Sequence, residues 1–319
     1  MTSLFFTITS HKKASAILLV KLPVMFGILL LGAALAEVKA QDDDVVRVNS
    51  ELVVLNITVT DAAGQYVPGL RQSDFKVYED GKEVASRLIS GFSLQESPFA
   101  SVVLLDTSGS MESRLSLGRS AAIRFLDGLR EEDVAAVFRF DTKVEQVQDF
   151  SGGRDLAPMA YGLHARGMTT LNDAIVEAAH ALVNRPEPRK AIIVLSDGLD
   201  TFSKASSGKA VESALAVGAS IYAVDMSATE GSASRNQQSA MVLRGFAEKT
   251  GGRFVATPGG PALRDAFASI AEELGHQYTI AYRPLNEQRD GKWRTLEVKL
   301  AKGGDLSVRT RKGYRAPKD

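Results

Sequence analysis

The sequence contains no cysteine, which removes disulfide frameworks, thiolate zinc sites and thiol nucleophiles together. It also lacks net charge, because 38 Lys and Arg balance 38 Asp and Glu, and it has no long basic run. Neutralising phosphates needs clustered Lys and Arg, so no nucleic-acid partner is expected. There is no phosphate-cradling GxxxxGK[ST] run and no G-x-S-x-G elbow, which argues against an NTPase and a serine hydrolase. His164, His180 and His276 stand isolated, with no ligand-spaced pair among them. What is present is a chain of 319 residues, 45% hydrophobic and 24% charged. That composition excludes wholesale disorder, collagen-like repeats and a multi-span membrane protein, and the length suggests about two domains.

Residues 1–40 read as a secretory signal peptide. Lys12, Lys13 and Lys21 precede the apolar stretch Leu22 to Ala36, and small residues at Ala34, Ala36 and Ala40 precede Asp42, Asp43 and Asp44. Cleavage after Ala36 or after Ala40 satisfies a small-x-small rule, with Ala40 preferred. An uncleaved anchor over Ala14 to Ala36 is the alternative, although Lys21 and Pro23 interrupt it. Either way the remainder is expected outside the cytoplasm, periplasmic or secreted, with no other membrane association. Loss of residues 1–40 removes four lysines and one glutamate and leaves a net charge of −3.

Residues 45–95 alternate in period two between turns: Glu51 to Thr60, Phe75 to Tyr78 and Val84 to Ile89, with Asp80-Gly81 as a hairpin signal. So short a set of strands buries little surface alone and needs a partner. Residues 98–282 change character. Continuous apolar strands at 101–106, 134–141, 191–197 and 220–226 alternate with helical segments at about 112–130, 171–183, 208–217, 238–250 and 260–275. This predicts an α/β fold with a Rossmann-like, mostly parallel sheet covered by helices on both faces, and Lys143 to Phe150 as an antiparallel edge. Strand patterning returns over 283–316, at Trp293 to Leu300 and Leu306 to Arg311. The economical arrangement pairs both ends of the chain in a small antiparallel β-sandwich, with the α/β domain inserted between them. Trp293, in the first of these C-terminal strands, is expected in the core.

Three segments stand at the C-terminal ends of expected parallel strands or in the loops there: Asp106-Thr107-Ser108-Gly109-Ser110, Gly167-Met168-Thr169-Thr170 and Ser196-Asp197-Gly198. In an open α/β sheet the binding crevice lies outside those strand ends, so all three can converge. Carboxylates and hydroxyls are hard oxygen donors that suit Mg²⁺, Mn²⁺ or Ca²⁺. Gly109 is expected to give the turn its latitude, and the helix after it to direct free amides at the site.

The DTSGS run, the threonine after a glycine-containing loop and the strand-end aspartate together resemble the von Willebrand factor type A domain with its metal-ion-dependent adhesion site. The stretches Leu70…Asp74-Phe75…Glu79-Asp80-Gly81-Lys82, Tyr282 and Arg311-Lys312-Gly313-Tyr314 further resemble bacterial exported proteins related to that domain. The resemblance implies a divalent cation, Mg²⁺ first, held at Asp106, Ser108, Ser110, Thr169 and Asp197. It implies direct bonds from Ser108 and Ser110, a direct bond from Thr169 in the ligand-engaged state, and action mostly through water for the two aspartates. Thr169 is preferred to Thr170 because TTLNDAI matches the family's T-x-L-x-D-A-I run; Met168 stands where a glycine is often found.

A cation with mainly neutral hydroxyls in its shell keeps a large positive charge and can accept a carboxylate from a protein partner. The function expected is therefore non-catalytic binding or adhesion. A phosphatase-like hydrolase and a purely structural domain without metal are the competing classes. Aspartate-based phosphatases need a second Asp where Ser108 stands, and a nucleophilic Ser108 or Ser110 would need a base. Asp141, Asp173, Asp200 and Asp225 are read as capping or loop-stabilising acids.

Overall fold

The computed structural model describes residues 52–93, 97–156, 164–197, 199–227, 233–257, 260–301 and 304–318. The expected signal peptide and Gly198 lie outside them. Six strands form the central sheet: β5 (Phe99–Asp106), β6 (Val134–Phe140), β7 (Val144–Ser151), β8 (Arg189–Ser196), β9 (Ala219–Asp225) and β10 (Phe254–Ala256). Their order is β10-β9-β8-β5-β6-β7, parallel throughout except that β7 returns antiparallel on the edge beside β6.

Strand β5 shows why the sheet is covered on both sides, since every residue from Phe99 to Asp106 is buried. Phe99, Val103 and Leu105 pack with helices α1 (Leu115–Asp127) and α5 (Gly260–Gly275). Ala100, Val102 and Leu104 point the other way, into a second core. That core is built with α2 (Leu171–Leu182), α3 (Ser207–Ala216) and α4 (Ala233–Thr250). Side chains alternate across a strand, so a run that is apolar at every position requires helices on both faces.

The two ends of the chain build two further four-stranded sheets. In one, β1 (Val53–Thr60) and β4 (Ile89–Ser93) from the N-terminal side each pair with β11 (Tyr278–Tyr282), and β13 (Ser307–Arg309) pairs with the other edge of β1. In the other, β2 (Phe75–Glu79) and β3 (Lys82–Glu83) join β12 (Trp293–Leu300) and β14 (Gly313–Arg315). Leu55, Ile57 and Ile280 of the first sheet meet Phe75, Val77 and Leu296 of the second in one apolar core, which makes the pair a sandwich. The opposite face of β1 carries Thr58, whose hydroxyl donates to Glu273 of α5 at 3.2 Å; Tyr222 of β9 donates to the same oxygen at 2.9 Å. Arg309 of β13 closes the charge on Glu273.

Three local expectations are corrected. Val84 to Ile89 is not a strand: Val84 follows β3, and a 3-10 turn over Ser86–Leu88 separates it from β4. Trp293 is 41% exposed, because β12 buries Arg294, Leu296 and Val298 and so turns Trp293 outward with Thr295, Glu297 and Lys299. Its ring lies where a Cβ on Gly313 would approach within 2.4 Å, so the indole covers a glycine on the neighbouring strand. Helix α1 begins at Leu115, after a 3-10 turn over Gly109–Met111, and not directly behind the DTSGS run.

Candidate metal centre

The chain leaves β5 through α1 toward β6, and leaves β8 through α3 toward β9, on opposite sides of the sheet. Between β5 and β8 the direction of winding reverses, the position at which open α/β sheets place their binding crevice beyond the strands' C-terminal ends. Asp106 ends β5, Ser196 ends β8 and Asp197 follows it.

The DTSGS turn is held by its own first residue. The Ser108 amide donates to Asp106 Oδ1 at 2.9 Å, an Asx-type bond that reverses the chain. The Thr107 amide and hydroxyl both donate to the Phe140 carbonyl, at 2.8 and 3.2 Å, fixing the turn against the end of β6. The Ser108 and Ser110 hydroxyl oxygens then lie 3.1 Å apart. Ser108 is buried and Ser110 exposed, so this pair of oxygens runs from the interior to solvent.

The second segment is brought in by backbone. The Arg166 amide donates to the Thr107 carbonyl at 2.8 Å and the Gly109 amide to the Gly167 carbonyl at 3.2 Å. Conformational freedom is needed at Gly167, which has φ +76° and where a Cβ would fall 2.4 Å from Thr142 Oγ1. Gly109 has no such φ, and a Cβ there meets only an ordinary contact at 3.6 Å. The latitude expected of Gly109 is thus supplied one loop away. Thr170 is committed elsewhere, its hydroxyl donating to the Asp141 carbonyl at 2.8 Å. Thr169 is buried beside it, with its amide taken by Thr201 Oγ1 at 3.0 Å.

The third segment meets the first through Ser196, whose hydroxyl donates to Asp106 Oδ2 at 2.5 Å. Burial pushes the Asp106 carboxyl up to about 6; hydrogen bonds from Ser108 and Ser196 oppose the rise, and the nearby charge of Asp197 adds to it. Asp197 is itself buried, and its Oδ1 has no hydrogen-bond partner among the described residues. A buried carboxylate oxygen left bare costs a few kcal/mol, so a cation-binding role gives that atom a purpose. Among the described residues no group of three or more His, Asp and Glu converges. Any cation here would draw on hydroxyls as well as the two carboxylates, a donor set that suits a hard divalent ion.

The other acids have protein partners. Asp141 accepts from Arg139 at 2.9 Å and from the Lys143 amide at 3.0 Å. Asp225 accepts from the Ser227 amide at 2.8 Å. Asp200 and Asp173 tie two loops reciprocally: Asp200 accepts from the Asn172 amide at the start of α2, and Asp173 accepts from the Lys204 and Ala205 amides. Sequence reasoning gave no role to Ser196, Thr201 or Ser239, whose hydroxyl donates to the Asp197 carbonyl. Ser196 stood inside a quoted motif; Ser239, on α4, carries no sequence signal at all.

The reversal of winding in a mostly parallel, helix-covered sheet places the chain among doubly wound α/β proteins. Residues 101–199, from β5 to just past β8, match the family model described as von Willebrand factor type A domain. No protein of curated function matches the sequence. Among solved structures, the chain is similar to the PilB minor pilin from Streptococcus sanguinis, with 16% identity over 57% of this chain and 63% of that one and a TM-score of 0.43. It therefore spans somewhat less than two thirds of PilB. It is also similar to a von Willebrand factor type A protein from Catenulispora acidiphila (13% identity, 79% and 76% of the two chains, TM-score 0.46). A third is the vWF domain of the type V pili tip protein Mfa5 from Porphyromonas gingivalis (14% identity, 56% and 95%, TM-score 0.46).

Proposed function

We propose that the chain is an extracytoplasmic, non-catalytic binding module that captures an acidic group of a protein partner through one divalent cation. Asp106, Ser108, Ser110, Thr169 and Asp197 would hold the cation, Mg²⁺ first, with Mn²⁺ or Ca²⁺ as substitutes. The observation that carries this reading is the buried Oδ1 of Asp197, without a partner among the described residues, at the strand end next to the Ser196–Asp106 bond. When bound, the cation supplies an electrophilic centre that takes a carboxylate as its last ligand. The chain's own part is to orient the donors: Ser196 and the Ser108 amide fix the two oxygens of Asp106, and the Arg166 and Gly109 amides hold the threonine loop against the serine turn. Of the described histidines, His276 stacks on Tyr66 with ring centroids 5.1 Å apart and His180 faces Glu177 at 3.9 Å, which leaves the exposed His164, two residues before Arg166, as the one a nucleophilic reading would have to use.

Two measurements test the reading. Calorimetric titration with Mg²⁺, Mn²⁺ and Ca²⁺ should give a saturable heat in the wild type and none in Asp106→Ala or Asp197→Ala, both still folded. A pull-down from the exported fraction should lose its captured protein on chelation and with either variant. No metal heat and no metal-dependent thermal shift in the wild type would leave a purely structural domain. Turnover of generic phosphate or ester substrates in Mg²⁺, lost in Asp106→Ala, would instead make the site a hydrolase.

A further inference from the structure

Among the described residues few large apolar side chains stand exposed, yet two of them belong to residues joined directly to the Thr169 backbone. Met168 is 52% exposed and immediately precedes it; Phe202 is 53% exposed, and its amide donates to the Thr169 carbonyl at 3.0 Å. Single exposed apolar residues are ordinary on a protein surface. Two such residues tied to the backbone of one candidate ligand, one by the chain and one by a hydrogen bond, are a different observation.

Neither side chain owes its exposure to a loosely held loop. The Met168 amide donates to Thr142 Oγ1 at 3.2 Å, directly after the left-handed Gly167. Phe202 lies between residues tied down on both sides: Asp200 accepts from the Ser203 amide at 3.0 Å and its hydroxyl at 2.5 Å, and Asp173 accepts from the Lys204 and Ala205 amides at 3.0 and 2.8 Å. The protein holds a thioether and a phenyl ring in water on fixed backbone beside the one buried threonine of the donor set. Methionine and aromatic residues are enriched at the centres of protein interfaces, where a pre-ordered anchor loses little entropy on binding.

Lys204, two residues from Phe202, is an exposed cation that favours an acid. Arg166, two residues from Met168, is also exposed but lies 3.9 Å from Asp141. The carboxylate of Asp200, two residues before Phe202, is taken up by the Asn172 amide and the Ser203 hydroxyl, while the exposed acid Glu112 lies beyond Ser110.

We propose that Met168 and Phe202 form the apolar half of a two-part docking surface, whose partner is a protein segment carrying Asp or Glu with a large apolar side chain one or two residues away. The carboxylate goes to the cation and the apolar side chain packs between Met168 and Phe202. This rests on the cation-dependent reading above and narrows it from any acidic group to an acidic-apolar motif.

The test pans a phage-displayed random peptide library against the immobilised full chain in Mg²⁺, in parallel with Met168→Ser, Phe202→Ser and the double variant. Titration of each variant with Mg²⁺ checks the cation site. The wild type should enrich peptides with an acid next to Leu, Ile, Phe, Met or Trp, released by chelator. Synthetic copies should bind about tenfold more tightly than versions with serine at the apolar position. The double variant should retain acidic peptides but lose the apolar preference and that tenfold margin. Acidic enrichment without apolar neighbours, or an apolar preference that survives in the double variant, overturns this proposal and leaves the cation reading standing. Enrichment that ignores chelator, or no enrichment at all, counts against both.

Discussion

The hydroxyl of Ser196 donates to Oδ2 of Asp106 at 2.5 Å, joining the ends of the neighbouring strands β8 and β5. With the Ser108 amide on Oδ1, it leaves the buried carboxylate little freedom to rotate. If Asp106 holds a cation as proposed, Ser196 would act on it through Asp106, as a positioning residue.

Replacing Ser196 with alanine should weaken Mg²⁺ binding by about tenfold, since a hydrogen bond to a charged group is worth roughly 1.5 to 3 kcal/mol, part of which solvent can restore. The acid limb of the binding profile should also move to higher pH, because the lost bond is one of those that lower the Asp106 titration. Calorimetry across a pH series checks both. Unchanged affinity with an unchanged limb would assign Ser196 to packing alone.

In chelated protein, the Asp106 carboxyl titrates at about 6 when folded, against 3.8 for the free group. The folded state binds the additional proton between those values, so this group's contribution to stability falls as pH rises from 3.8 toward 6 and is then level. The ionised form costs on the order of 2 to 3 kcal/mol at neutral pH. Asp106→Asn should therefore be more stable than the wild type at pH 7 in chelator, with the gap closing toward about pH 4. Urea unfolding at both pH values measures it; a wild type that is the more stable at pH 7 would mean that its hydrogen bonds outweigh burial.

Gly167→Ala places a methyl group 2.4 Å from Thr142 Oγ1 at a φ of +76°. The left-handed backbone alone costs about 1 kcal/mol, and the clash adds to it. Thermal unfolding should show a loss of roughly 2 to 3 kcal/mol, accompanied by weaker metal binding. Adding Thr142→Ala should recover part of the stability by removing the clash, though not the backbone cost. Additive losses in this double-mutant cycle would show that the two residues do not collide.

Glu79 is buried in the sandwich and accepts four hydrogen bonds: from Tyr282 at 2.8 Å, from Tyr314 at 3.1 Å, and from the Leu285 and Asn286 amides at 3.1 Å each. Burial, with Glu79 adding to it, holds both phenols well above their usual titration range. Glu79→Ala would strand all four donors and should cost about 3 to 5 kcal/mol, whereas Tyr314→Phe should cost about 1 kcal/mol. Denaturant midpoints rank the variants. Equal losses would show that Tyr314 alone anchors the carboxylate.

Periodicity made the central sheet legible. Strands apolar at every position, such as Val102 to Leu105, admit no arrangement but burial on both faces. The antiparallel edge strand β7 was legible from its proximity to β6. Trp293 was misread because its exposure depends on strand parity, which a local pattern does not define, and Val84 to Ile89 because its apolar spacing did not reveal the 3-10 turn over Ser86–Leu88. Residues placed by neighbours distant in sequence, such as Ser239 against Asp197 and Thr201 against Thr169, left no local trace.

From the sequence alone came the alternation of strands and helices, the strand ends at which Asp106 and Asp197 fall, and an oxygen-only donor set in a chain without cysteine. Tertiary structure decided where the hydroxyls bond. Thr170 is spent on the Asp141 carbonyl and Ser196 on Asp106, while Asp197 Oδ1 is left bare among the described residues. It also decided that Met168 and Phe202 face water. The physical reason is that hydrogen-bond satisfaction and exposure are set by which distant segments the fold brings within about 3 Å, and residue type and spacing cannot encode that.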